Sequence, residues 1–168
     1  IRENEIYVWS RGEELVTDKY PEFKSLVGIV PNGTVIDAEI LAFPEGEIGT
    51  FNDLQARIGR KTVSASLLQK APVILKAYDI LEWEGEDIRR LQYEERRIFL
   101  EKLYELVRDK ATCFQLSERV LLHSWEDVTA ERMRAREMKS EGLMLKRNNS
   151  PYLVGRKKGD WWKWKIEP

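Results

Sequence analysis

Residues 73–83, VILKAYDILEW, form the most strand-like stretch of this 168-residue chain. The β-branched and aromatic side chains suit a pleated, half-buried surface. A period of two places Ile74, Lys76, Tyr78 and Ile80 on one face. Beyond an acidic turn at residues 82–87, the pattern changes. Phe99, Leu103 and Val107 recur at i, i+4 and i+8 within residues 93–107, which predicts an amphipathic helix. Its remaining face reads as plain charged surface, with pairs such as Arg97–Glu101.

Further out, alternating or apolar runs predict strands over residues 5–10, 34–43, 113–116, 142–147, 152–156 and 161–166. The last two are expected to pair as a hairpin through residues 157–160. Short helices are expected over residues 20–26, 50–57 and 64–70, and a longer one over 124–139. Thr50 with Asp53, and Ser124 with Asp127, have capping-box spacing. Strands and helices mix without regular alternation, so the fold class is α+β, with mainly antiparallel sheets and flanking helices.

A length of 168 residues suits a single domain. With 42% hydrophobic and 34% charged residues, the chain is neither a disordered tail nor a membrane span. One cysteine, Cys113, excludes an internal disulfide and fits a reducing compartment. The first residue is Ile1, and the expectation is a piece of a longer protein. The formal charge of −1 hides an asymmetry. Residues 139–168 carry eight basic and three acidic side chains, which points to a local phosphate site or to a lysine-protected strand edge.

Several polar residues fall on strands that have a side to bury. Asp37 and Glu39 share a face in mid-strand, either shown to water at an edge or lining a cleft. Lys163 and Lys165 share a face, which is repulsive unless an anion bridges them. Tyr78 is core or a stacking platform for a base. Glu141 precedes Gly142 at the mouth of a strand, as a solvated acid or a metal ligand. The lone histidine, His123, excludes His-based triads and multi-His metal sites, and residues 155–159, GRKKG, lack phosphate-loop spacing.

The order of these segments carries a resemblance. Ser10-Arg11-Gly12, Asp37-Ala38-Glu39, Tyr78-Asp79-Ile80-Leu81, Glu141-Gly142-Leu143-Met144-Leu145-Lys146 and Trp162-Lys163-Trp164-Lys165 resemble the ordered motifs of the covalent nucleotidyltransferases. Within them, the chain is most similar to the adenylation domain of bacterial and archaeal ATP-dependent DNA ligases. The connectors at residues 54–61 and 150–161 match that pattern too.

The resemblance implies a partial nucleotidyltransferase (ATP-grasp-like) adenylation domain over residues 1–168. It implies ATP and Mg2+ as cofactors, nicked duplex DNA as partner, a monomer, and a bacterial or archaeal cytoplasm. Glu39 would hold the ribose hydroxyls and Tyr78 would stack on adenine. Lys163 and Lys165 would meet the α-phosphate, and Glu141 the metal. Arg11 would touch the 5′-phosphate of the nick, while Arg57, Arg60, Arg156 and Lys157 would contact nucleic acid. Two departures stand out. Ala38 replaces the family's usual glycine, and no Asp-Gly pair exists anywhere, so the nucleophile motif Lys-x-Asp-Gly-x-Arg is absent. The 168 residues are also expected to lack the family's C-terminal oligonucleotide-binding domain. The 168 residues alone are therefore expected to be inactive. An RNA ligase or capping-type enzyme, or a non-catalytic nucleic-acid-binding module, stands as the alternative.

Overall fold

The computed structural model describes residues 1–60, 62–155 and 157–166. Among them, β1 (Val35–Ala42) lies antiparallel to β2 (Val73–Trp83), which continues through a tight turn into the short β3 (Glu86–Asp87). β4 (Phe114–Leu116) adds to β2 in parallel, so this four-stranded sheet is mixed. β5 (Gly142–Lys146) and β6 (Trp161–Lys165) form a second, two-stranded antiparallel sheet. The α+β class therefore holds, with one parallel pair in an otherwise antiparallel arrangement.

The predicted helix over 93–107 is present with those bounds as α3 (Tyr93–Val107). Its buried stripe is Tyr93, Arg96, Leu100, Leu103 and Val107, the 3–4 spacing of one helical face. That stripe packs on Val73, Ala77, Ile80 and Phe114 of the sheet. Pro21–Leu26, a 3-10 helix, supplies Phe23 and Leu26 to the same core. From β1 come Ile36, Ala38 and Ile40, which turns Asp37 and Glu39 to the other side. Helix α1 (Phe51–Ile58) carries the capping box expected of Thr50 and Asp53, and α2 (Ala65–Lys70) is capped by Ser64.

Three predicted elements differ. Residues 5–10 form isolated bridges rather than a strand. Residues 14–16 lie antiparallel alongside, with the Ser10 amide on the Glu14 carbonyl and the Val16 amide on the Val8 carbonyl, but the Val8 amide is taken by the Thr17 hydroxyl and the pairing goes no further than the Trp9–Leu15 bridge. The helix expected over 124–139 is α4 (Trp125–Arg134), and turns follow it. Residues 152–155 are irregular: the Tyr152 amide bonds to the Arg89 carbonyl, and Gly155 has φ +77°. β6 accordingly pairs with β5, not with the preceding segment.

β2 also breaks its own alternation. Asp37 faces Asp79 and Ala38 faces Ala77, which leaves Tyr78 as an extra residue in β2. Ile36 faces Ile80 and Val35 faces Glu82, leaving Leu81 extra as well. These bulges shift the core face from Val73 and Ala77 to Ile80, and they twist the strand where Tyr78 projects.

Candidate functional site

Two groups of side chains form the site. The first sits on one face of the β5–β6 hairpin. In an antiparallel ladder, paired residues share a face, so Met144 with Lys163 and Lys146 with Trp161 look the same way. Glu141 joins them because of Gly142. A regular strand would turn Glu141 to the opposite face, but Gly142 adopts φ +135° and re-aims the chain. The Glu141 carboxylate then accepts a hydrogen bond from Lys163 Nζ at 2.6 Å and lies 3.4 Å from Lys165 Nζ. These two ammonium groups hold its carboxyl below the usual carboxylate range, the Lys163 bond contributing most. All three side chains are exposed. The repulsion expected between Lys163 and Lys165 is met here by a carboxylate, the kind of oxygen anion that a phosphate would replace.

The tryptophans of β6 differ from one another. Trp162 is exposed. Trp164 is covered by Arg132 of α4, whose guanidinium lies 5.0 Å over the indole and donates to the Lys165 carbonyl. It is Trp161, on the lysine face, that ties the hairpin to the main sheet.

The second group surrounds β1 and β2. Tyr78 Oη donates to Asp37 Oδ1 at 2.6 Å, and Tyr152 Oη donates to Asp37 Oδ2 at 2.7 Å. Burial, then the Asp37 bond, pushes both phenols above their ordinary value. Lys146 bridges the two groups. Its Nζ lies 4.9 Å from the Tyr78 ring centre, 5.0 Å from Tyr93 and 4.2 Å from Trp161, with Asp79 at 3.9 Å. Burial lowers its ammonium to about 8, against the opposing pull of Asp79 and Asp37. Arg96 is fully buried beside it and forms a paired fork to both Asp79 oxygens at 2.8 and 3.0 Å. It also donates to the Ser150 carbonyl. The charged face of α3 is therefore not all plain surface, although the Arg97–Glu101 pair forms as read.

Glu39 lies exposed on β1, two residues from Asp37 and opposite Lys76 of β2. Arg11 is exposed and near enough to pull on the Tyr78 phenol. Arg60 and Lys157 are also exposed, and Arg156 lies outside the described residues. Arg57 requires correction. It is fully buried, bonded to both oxygens of Glu22, to the Lys19 carbonyl and to the Ala71 carbonyl. It bolts α1 to the core and is not offered to a ligand. Asp79, Lys146 and Tyr152 lie in the motifs and connector quoted above without a role of their own, and Arg96 lies in none of them. The available signal was a carboxylate in an apolar strand and an arginine on the apolar stripe of α3.

Neither of two surface hollows, one around Ile98 and Leu116 and one around Pro44 and Lys139, includes any of these residues. The site is an open face. Its chemistry suits a phosphate-bearing ligand with an aromatic base: paired ammonium groups, a half-buried phenol ring and carboxylates. Among the described residues no cluster of three metal-ligating side chains occurs. A lone exposed carboxylate fits a magnesium ion whose remaining positions are filled by nucleotide oxygens and water.

The model of one protein family, the ATP dependent DNA ligase domain, matches residues 1–165. A "DNA ligase 1" of Methanosarcina barkeri is 32% identical over 97% of this chain and 31% of its own length. A "Probable DNA ligase" of Koribacter versatilis is 28% identical over 99% of this chain and 32% of its own. The chain spans no more than about a third of the length of these curated relatives. Among solved structures, the ligase domain of Mycobacterium tuberculosis LigD superimposes with a TM-score of 0.72 at 24% identity, covering 96% of this chain and 47% of that one. A mycobacterial DNA ligase D complexed with ATP and MES gives 0.71 at 25% identity, covering 96% and 48%. The fold is thus that of the ligase adenylation domains.

Proposed function

The chain belongs to the ATP dependent DNA ligase domain family, and from that premise we propose that it is the nucleotide-binding part of an enzyme that seals nicks in duplex DNA. In that reading a lysine takes AMP from ATP with release of pyrophosphate. AMP passes to the 5′-phosphate of a nick, and the 3′-hydroxyl then displaces it. One observation carries the reading: Glu141, Lys163 and Lys165 converge on one face of the hairpin, and that face also carries Lys146 over Tyr78.

The roles follow from charge and geometry. Lys163 and Lys165 receive the α-phosphate in place of Glu141. Glu141 would be the residue to hold a magnesium ion, which would supply charge neutralisation at the phosphate. Tyr78 offers its ring to adenine, and Glu39 accepts hydrogen bonds from the ribose hydroxyls. Arg11 meets the 5′-phosphate at the nick, and Arg60 and Lys157 meet the DNA backbone. The protein acts as a monomer in the cytoplasm. Its relatives come from bacteria and archaea, and among the described residues no helix is long and apolar enough to cross a membrane.

The 168 residues contain no Asp-Gly pair and hence no Lys-x-Asp-Gly nucleophile. Incubation of this chain with labelled ATP and magnesium should leave no covalent label after denaturation. A stable label would refute that part of the reading. For the whole enzyme, joining of a nicked DNA duplex in preference to a nicked RNA strand is expected. Preference for RNA would favour an RNA ligase. A thermal shift by nicked DNA but none by ATP would favour a non-catalytic binding module, a reading already weakened by the burial of Arg57.

A further inference from the structure

Tyr78 is the extra residue of a bulge, so the ladder between β1 and β2 does not by itself settle where its ring lies. Asp37 supplies that constraint. One carboxylate oxygen takes the Tyr78 hydroxyl at 2.6 Å, and the other takes the Tyr152 hydroxyl at 2.7 Å. Three separate segments meet at this carboxylate: β1, β2 and the connection between β5 and β6. Tyr152 is itself held. Its ring stands edge-on to Trp161, with centres 5.5 Å apart and planes at 77°. Trp161 in turn donates from Nε1 to the Ser150 hydroxyl at 3.0 Å, and it begins β6 two residues before Lys163.

We propose that Asp37 and Tyr152 are positioning residues, which fix the Tyr78 ring as a base-stacking platform and register it against the phosphate-binding lysines of β6. The inference deepens the reading of Tyr78 as the adenine contact and rests on it. Neither Asp37 nor Tyr152 needs to touch the nucleotide. Asp37 acts through the Tyr78 hydroxyl, and Tyr152 acts by holding the second carboxylate oxygen in place. Each bond joins a phenol to a carboxylate, the stronger class of hydrogen bond. A free Tyr78 ring would have to be ordered at the moment of binding, at a cost in affinity for the base alone.

The test is calorimetric titration of the 168-residue chain with two probes, AMP and inorganic tripolyphosphate. Tyr152→Phe keeps the contact with Trp161 and removes one bond to Asp37. It should weaken AMP by about fivefold. Asp37→Asn should weaken AMP by about tenfold or more, and neither change should move tripolyphosphate affinity. In a Tyr78→Phe background, which lacks the hydroxyl that Asp37 grips, Asp37→Asn should cost nothing further. AMP affinity unchanged in both variants would overturn the inference. So would an equal loss of AMP and tripolyphosphate, or losses that simply add in the Tyr78→Phe background. If the unaltered chain bound tripolyphosphate but no AMP, the reading of Tyr78 would fall, and this inference with it.

Discussion

Lys146 occupies an uncommon setting for an ammonium group, boxed by the rings of Tyr78, Tyr93 and Trp161 with Asp79 at 3.9 Å. Burial lowers it to about 8 from an ordinary 10.5. Below about pH 8 the folded chain carries the full cost of a buried charge. Between 8 and 10.5 the unfolded chain binds more protons than the folded one, so stability rises with pH. Tyr78, Tyr93 and Tyr152 run the other way, since their raised values mean that stability declines once pH passes the ordinary phenol value near 10. Between about pH 7.5 and 9.5 the Ile1 amino terminus and the Cys113 thiol titrate too, so the lysine's share is read as the difference from a variant that lacks it. Urea unfolding should show the wild type gaining on the order of 1–2 kcal/mol over that interval relative to Lys146→Met. Parallel profiles would contradict this. The neighbouring pair is of another kind: Arg96 and Asp79 are both buried and share two hydrogen bonds. Arg96→Met should destabilise the fold by roughly 3–5 kcal/mol in the same assay, because it strands a buried carboxylate. These residues were hard to find in the sequence, because a buried ion pair is built from partners 17 positions apart, and composition alone reads them as surface.

The hairpin of β5 and β6 depends on one backbone position. A Cβ added at Gly142 would meet the Trp164 carbonyl oxygen at 2.2 Å, and the residue sits at φ +135°. Gly142→Ala should therefore open the end of the ladder and part Glu141 from Lys163. Lysine side-chain NMR would register the loss of the Lys163–Glu141 bond, while the core signals of α3 stay in place. An unchanged Lys163 signal would contradict the assignment of Gly142 as the residue that re-aims Glu141. At this scale much was legible. The bounds of β2 and α3 followed from local apolar spacing, and the caps of α1 and α4 from Thr50 and Ser124. What local spacing cannot carry is pairing between distant segments. Residues 5–10 alternate like a strand yet make only isolated bridges to nearby residues, and β6 pairs across a 14-residue gap with β5 rather than with the nearer run at 152–155. The bulge at Tyr78 was equally invisible, because it exists only in the register with β1.

In the whole molecule, a core of Phe23, Val73, Ala77, Ile80, Leu100, Leu103 and Phe114 supports the sheet that bears Glu39 and Tyr78. The hairpin that bears Glu141, Lys163 and Lys165 is fastened to it through Lys146, Trp161 and Tyr152. Four of the five motif stretches are thereby carried on two small sheets, with Ser10-Arg11-Gly12 in a turn, and no Asp-Gly pair occurs among the 168 residues. On the proposed reading, binding of the nucleotide and covalent capture of AMP are separable in this chain. The most direct measurement is an NMR titration of this chain with AMP and magnesium, following residue by residue which signals move. The account predicts that Glu39, Tyr78, Glu141, Lys163 and Lys165 shift together along one binding curve. Shifts confined to either sheet, or following different curves, would contradict a single nucleotide site.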